Sequence, residues 1–173
     1  GKSIRKRDKS VYSREEAGHW EADTVVSGQG KSKACFATLA ERKTRFYIAM
    51  KMSDRRAETM ETAIVAARSA FPSQLVKAIT CARGTEFANW RRIEERLHCE
   101  VYFADPYCAW QKGTNENLNG LLREFYPKGR NLSRVAPATL KRNLALLNAR
   151  PRKVLYFHSA QELWDFELNS CCT

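Results

Sequence analysis

Residues 113–129, GTNENLNGLLREFYPKG, decide how this chain is read. On a helical wheel at about 100° per residue, Leu118, Leu121, Leu122 and Phe125 follow the i, i+3, i+4, i+7 spacing of one apolar stripe. Glu116 falls on the opposite side, grouped with Lys112, Asn119, Gly120 and Arg123. That face mixes an acid with amides, cations and a glycine that allows close backbone approach. It suits a metal ion and a phosphate chain. The solvated face of an amphipathic helix is the plainer reading, and Glu116 by itself favours it.

Upstream of this helix the pattern changes from period 3.6 to runs of strand type. GHWEADTVV, ACFATLAE and TRFYIAMKM follow one another with short Gly/Lys/Ser or Lys/Thr connections, which predicts an antiparallel meander. A helix follows over RRAETMETAIVAARSAF, with Met60, Ile64, Ala67 and Phe71 on one face and Pro72 just past its end. VKAITC is a short strand, TEFANWRRIEERLH a helix and EVYFA another strand closed by Asp105-Pro106. Beyond the Glu116 helix, Leu140, Leu144 and Leu147 mark a helix over Ala138–Asn148. A last short helix is expected from Ser159, a plausible N-cap, through Leu163 and Phe166. The order β-β-β-α-β-α-β-α-α-α describes an α/β fold. Its mixed sheet has five strands, three antiparallel and then two alternating with helices, and helices cover both faces. Residues 1–16 show no periodicity and read as a basic linker arm; residues 17–173 read as one domain.

Composition narrows the partners. The chain has 30 Lys and Arg against 19 Asp and Glu, a net charge of +11. The excess is segregated: residues 1–10 hold five bases and one acid, and residues 123–153 hold nine bases and one acid. Clustered cations of this kind point to a polyanion, most commonly nucleic acid. No apolar run approaches the roughly 20 residues of a bilayer span, and GKSIRKRDKS lacks the apolar core of a secretory signal. No membrane partner and a cytoplasmic location are expected. The six cysteines form no CxxC pair and no His/Cys spacing of a zinc site, and Cys35 and Cys81 read as small buried hydrophobes.

Two further segments carry chemistry. Asp23 stands mid-strand, where aspartate is depleted and a charge is costly unless paired or metal-bound. A surface charge on an edge strand, shared with Glu21, is the competing reading. In TCARGTEFANW, where a strand ends and a helix begins, Arg83, Thr85 and Glu86 are exposed candidates, and no carboxylate sits at the strand tip. Thr85 is a candidate N-cap for the next helix. Lys112, Asn115, Asn119 and Arg123 share or flank the Glu116 face, suited to holding a DNA backbone, and Arg83 is placed likewise. Arg150, Arg152 and Lys153 belong to a basic tract that includes Arg130 and Arg134. Tyr107 and Trp110 read as aromatic anchors of their loop, with base stacking the alternative. His19 and Trp20 read as core or supporting residues.

GHWEADT, ITCARGTEFA, VYFADPYCAWQKGTNENLNGLLREFYPKG and LNARPRK resemble the motif series of the insertion sequence thirty family of bacterial transposases. The resemblance runs from about Gly18 to Trp164. That family belongs to the DDE transposases and retroviral integrases, and it implies a ribonuclease H-like fold. It further implies Asp23 as the first catalytic aspartate, Glu116 as the catalytic glutamate, and a second aspartate at position 82. The chain has Ala82 instead, and Ala22 where glycine is usual. Three such carboxylates would hold two Mg²⁺ ions, or Mn²⁺ as a substitute, roughly 3.5–4 Å apart for phosphoryl transfer. Asp23 and Glu116 are the surviving metal ligands of that set. The implied reaction is cleavage and strand transfer on DNA, at element ends and target, by a homo-oligomer associated with the nucleoid. With Ala82 the chain is expected to be close to inactive, by engineered substitution or by natural loss. Two alternatives stand beside this reading: a non-catalytic DNA-binding or assembly domain of the same fold, and a nuclease that does not join strands. The family's N-terminal helix-turn-helix has no counterpart here, so the basic arm is expected to mark a cut through a linker.

Overall fold

A computed structural model of the protein describes residues 1–171. The sheet has six strands: β1 (Lys2–Ser3), β2 (His19–Val26), β3 (Cys35–Glu41), β4 (Tyr47–Met52), β5 (Ala78–Cys81) and β6 (Glu100–Phe103). Five helices accompany it: α1 (Ala57–Ser69), α2 (Trp90–Leu97), α3 (Gly113–Phe125), α4 (Pro137–Ala149) and α5 (Ala160–Cys171). The strand order is β1-β6-β5-β2-β3-β4. Strands β2, β3 and β4 form the expected antiparallel meander, and β1, β6, β5 and β2 run parallel.

The burial of each strand explains its sequence. All seven residues of β3 are buried, because the strand is central and covered on both faces. β4 alternates buried and partly exposed positions, as an edge strand does. Helices α1, α2 and α5 cover one face around Trp20, Met60, Ile64, Phe87, Ile93 and Trp164. Helices α3 and α4 cover the other around Val25, Phe36, Leu118, Leu122, Leu140 and Leu147. The predicted apolar stripes of α1, α3 and α4 are therefore the packed ones. Cys35 and Cys81 are buried in the first core, as read from the sequence. Cys172 and the end of the expected domain lie outside the described residues.

Two local expectations change and a third holds. The sixth strand comes from the segment read as a linker: Lys2 and Ser3 pair with Tyr102 and Phe103. Ile4, Arg7 and Val11 in the same segment are buried. Its short 3₁₀ turns are capped by Ser3 and Asp8 and have no helical period to read. The segment after β5 does not start a helix at Thr85; a 3₁₀ turn over Thr85–Phe87 comes first, with Gly84 rather than Thr85 at its cap. Ser159 does cap α5, through a reciprocal pair: Glu162 N–H donates to Ser159 Oγ (3.1 Å) and Ser159 N–H donates to Glu162 Oε2 (2.9 Å). The inward residues of α5 are Ala160 and Trp164, with Phe166 exposed. Among the described residues, no helix is long and apolar enough to cross a membrane.

Candidate active site

Asp23 lies on a central strand, between β5 and β3, so the edge-strand reading does not hold. The parallel ladder pairs His19 with Ala78, Trp20 with Ile79 and Glu21 with Thr80. Continuing that register by two residues brings Asp23 abreast of Ala82, on the same face of the sheet. Strand β5 ends at Cys81, which leaves the Asp23 side chain partly open rather than covered. The carboxyl end of a parallel strand, here β5, is where ligand groups collect in α/β sheets.

Both oxygens of Asp23 have partners from α3 and the turn before it. Lys112 Nζ stands 3.3 Å from Oδ1, and Asn119 Nδ2 donates to Oδ2 at 3.2 Å. Lys112 also donates to the carbonyl of Ala22 (3.3 Å). The buried Tyr47 hydroxyl donates to Asn119 Oδ1 (2.6 Å), which turns the amide N–H₂ toward Asp23. Burial raises the Tyr47 phenol above its ordinary range, so it remains a donor. Glu116 is exposed on α3, on the face bounded by Lys112 and Asn119, the two residues that reach Asp23.

A second network holds α3 against the sheet. Glu21 is wholly buried and forms an ion pair with the buried Arg42. The Glu21 carboxylate accepts from the Asn115 backbone N–H (2.8 Å), one of the first-turn groups that the helix cannot satisfy itself. The Asn115 side chain donates to the Glu21 carbonyl (2.7 Å) and accepts from Thr38 Oγ1 (3.1 Å). This clamp sets the direction in which the next residue, Glu116, leaves the helix.

The expected DNA-contact set is thus divided. Asn115 has no exposed surface and joins α3 to the sheet, so it is not a backbone contact. Lys112 is buried against Asp23, because a cation there offsets the aspartate charge. Asn119 orients Asp23. Arg123 donates to the carbonyls of Tyr126 (3.3 Å) and Val26 (3.1 Å) and is half-buried. Arg150 pairs with Glu124 at 3.0 Å. Arg83 and Lys153 are exposed, and Arg152 is half-buried with one bond to the Leu147 carbonyl (3.0 Å). Tyr107 and Trp110 do not anchor their loop: they are 102% and 72% exposed. Sequence reasoning passed over Tyr47 and read Glu21 as a surface charge, whereas Glu21 is buried; their partners Asn119 and Asn115 lie 72 and 94 residues away.

The donor set does not complete a metal site. Asp23 and Glu116 supply two carboxylates and position 82 supplies a methyl group. Among the described residues, no group of three His, Cys, Asp or Glu side chains is placed to hold an ion. Glu86 does not fill the gap. It is buried, pairs with Arg55 (2.7 Å) and approaches Thr24 (3.5 Å), on the opposite face of β2 from Asp23.

The integrase core domain family matches residues 13–109, a stretch that includes Asp23 and position 82 and ends before Glu116. The probable transposase for insertion-like sequence element IS1161 of Streptococcus salivarius is 36% identical over 165 residues, covering 95% of this chain and 46% of that protein. Transposase InsI of insertion sequence element IS30A from Escherichia coli strain K12 is 36% identical over 163 residues, covering 94% and 42%. The chain spans less than half the length of these relatives. Among solved structures, the catalytic core domain of BIV integrase aligns with a TM-score of 0.67 at 15% identity, covering 91% of this chain and 99% of that one. A chain of the simian T-cell lymphotropic virus intasome, in complex with PP2A regulatory subunit B56 gamma, aligns with a TM-score of 0.68 at 13% identity, covering 86% and 54%. The fold is the expected ribonuclease H-like one, with six strands rather than five. Fold, strand register and sequence matches agree: the chain belongs to the integrase core domain family, with insertion-element transposases as its relatives.

Proposed function

We propose that this chain is the DNA-processing core of an insertion-sequence transposase, a DDE nucleotidyltransferase arrested at position 82. The observation that supports the proposal is the strand register that brings Ala82 abreast of Asp23, with Lys112 and Asn119, which flank Glu116 in the sequence, in contact with Asp23. In the complete set, Mg²⁺ would polarise the scissile phosphate and activate the attacking oxygen. The residues of this chain do the holding. Lys112 and Asn119 orient Asp23, Tyr47 orients Asn119, and Glu21 with Asn115 clamps the helix that carries Glu116. The substrate is DNA, cut at element ends and joined to a target in the bacterial cytoplasm by a homo-oligomer. The methyl group of Ala82 favours a second reading, in which the chain binds DNA and assembles without catalysis.

The test restores the acid. Ala82→Asp is incubated with a labelled duplex carrying an element end, a target plasmid and Mg²⁺ or Mn²⁺. Joined products from the variant and none from the parent are the expected result. Cleavage without joining would favour a nuclease. No reaction in either protein would leave the assembly reading standing in place of the catalytic one.

A further inference from the structure

A strongly cationic concavity lies at the start of α3. A cavity of about 250 Å³ is lined by Arg14, Arg45 and Arg152, with Gly113, Thr114 and Asn117 of α3. Three guanidiniums from distant parts of the chain converge here, and none of them forms an ion pair among the described residues. Two neighbouring arginines do have acids: Arg42 pairs with Glu21 and Arg150 with Glu124. The cavity is therefore lined by three cations that have no ion-pair partner among the described residues.

The three side chains are positioned rather than loose. Arg14 Nη1 donates to Thr114 Oγ1 (2.6 Å) and to the Arg42 carbonyl (3.0 Å). Arg45 donates to the same carbonyl, and Arg152 Nη2 donates to the Leu147 carbonyl. The Nε of Arg152 is buried and has no hydrogen-bond partner, which is costly for a charged donor. Burial lowers the pKa of all three. Arg45 lowers that of Arg14 further, Arg42 that of Arg45, and Arg150 with Arg45 that of Arg152. An anion in the cavity would relieve the repulsion among the three guanidiniums. Forked guanidiniums match phosphate oxygens, and the positive end of α3 adds to the field.

We infer that the Arg14–Arg45–Arg152 cavity seats a phosphodiester of the DNA backbone, one side of α3 away from the carboxylates. This rests on the reading of DNA as substrate. DNA is favoured over a free phosphate because Arg152 opens a rigid, exposed hairpin beside the cavity. Backbone bonds from Phe157 N–H to the Arg152 carbonyl (2.9 Å) and from His158 N–H to the Leu155 carbonyl (3.0 Å) hold it, and Tyr156 and Phe157 are exposed at its tip. Exposed aromatic rings beside cations are a nucleic-acid contact surface.

Two probes test this in EDTA, so that the carboxylates play no part. Inorganic phosphate is titrated against the chain while the arginine Nε–H resonances are followed. Binding of a 20-base-pair duplex is measured by fluorescence anisotropy over a range of salt. The variants are Arg14→Gln/Arg45→Gln/Arg152→Gln and Asn117→Glu; the second puts an acid at the cavity without removing a contact, and decides the matter if the first does not fold. Expected are phosphate-dependent shifts in the parent that both variants lose. Duplex affinity should fall several-fold, and the slope of log K against log salt should drop by about 0.9 per phosphate released. Phosphate binding lost with duplex affinity and slope unchanged would identify a free-anion site and overturn the inference, as would no phosphate binding at all. Strand joining by Ala82→Asp with unchanged duplex binding in the arginine variants would fail this inference alone. The converse pattern would fail the catalytic reading alone.

Discussion

Lys112 and Asp23, 89 positions apart in the chain, face each other with Nζ 3.3 Å from Oδ1. The cation arrives from the turn before α3 and neutralises the acid from the side opposite Asn119. An aspartate on a central strand is thereby partly desolvated, at a cost that the lysine and the amide offset.

Ala82→Asp puts a second carboxylate beside Asp23, and Lys112 cannot neutralise both. In EDTA the variant should melt about 2–4 °C below the parent, the shift of roughly 1 kcal/mol for a domain this size. Millimolar Mg²⁺ should recover the loss by binding the folded state, and should leave the parent unmoved. Calorimetry of both proteins with and without the ion checks it, and an unaltered variant would mean that position 82 does not face Asp23.

Arg42→Met leaves Glu21 buried without its counter-charge. The expected loss is about 3–5 kcal/mol, while Glu21→Leu with Arg42→Met should cost clearly less. Urea unfolding of the single and double variants gives the comparison. Equal losses would show that the Asn115 bonds, not the ion pair, dominate the clamp.

Tyr47→Phe removes the donor to Asn119 Oδ1 and frees the amide to turn. The expected cost is roughly 1 kcal/mol of stability. In the Ala82→Asp background the same change should lower the rate of strand joining at saturating DNA. A stability loss with an unchanged rate would make Tyr47 a core residue only.

The buried thiols fix a pH dependence. Burial pushes Cys35 and Cys99 up to about 11, whereas an unfolded thiol ionises near 8.5. Between those values the folded state binds more protons than the unfolded one, so stability falls as pH rises from about 9 to 11. Alkylation at pH 8 should modify the partly exposed Cys108 and spare Cys35, Cys81 and Cys99. Mass spectrometry of the labelled peptides reports this directly, and rapid labelling of Cys81 would contradict its burial.

Much of the fold was legible because local patterns carried it. The stripe of Leu118, Leu121, Leu122 and Phe125 was the packed face of α3, and Ser159 was the cap of α5. The same period-based reading could not see β1. A two-residue strand and 3₁₀ turns have no repeat, and Lys2 is held by pairing with Tyr102 and by ion pairs with Glu94 and Glu100, all distant in the sequence. On α5 the helix was legible but its inward face was not, and Trp164 is the residue that joins the aromatic cluster of Trp20, Phe46 and Phe71.

By itself the sequence determined the class of fold, from residue type and period along one chain. The acids at 23 and 116 as a set, and the acid expected at 82, came from the resemblance to the insertion sequence thirty family. Tertiary structure alone decided what the polar residues around them do. Lys112 and Asn115 looked like two members of one DNA-facing row. Packing α3 across β2 turned one toward Asp23 and closed the other over Glu21. The same packing brought Arg14, Arg45 and Arg152 to one cavity. A charge declares its sign in the sequence, but its partner is set by which distant segment lies within hydrogen-bond reach after folding.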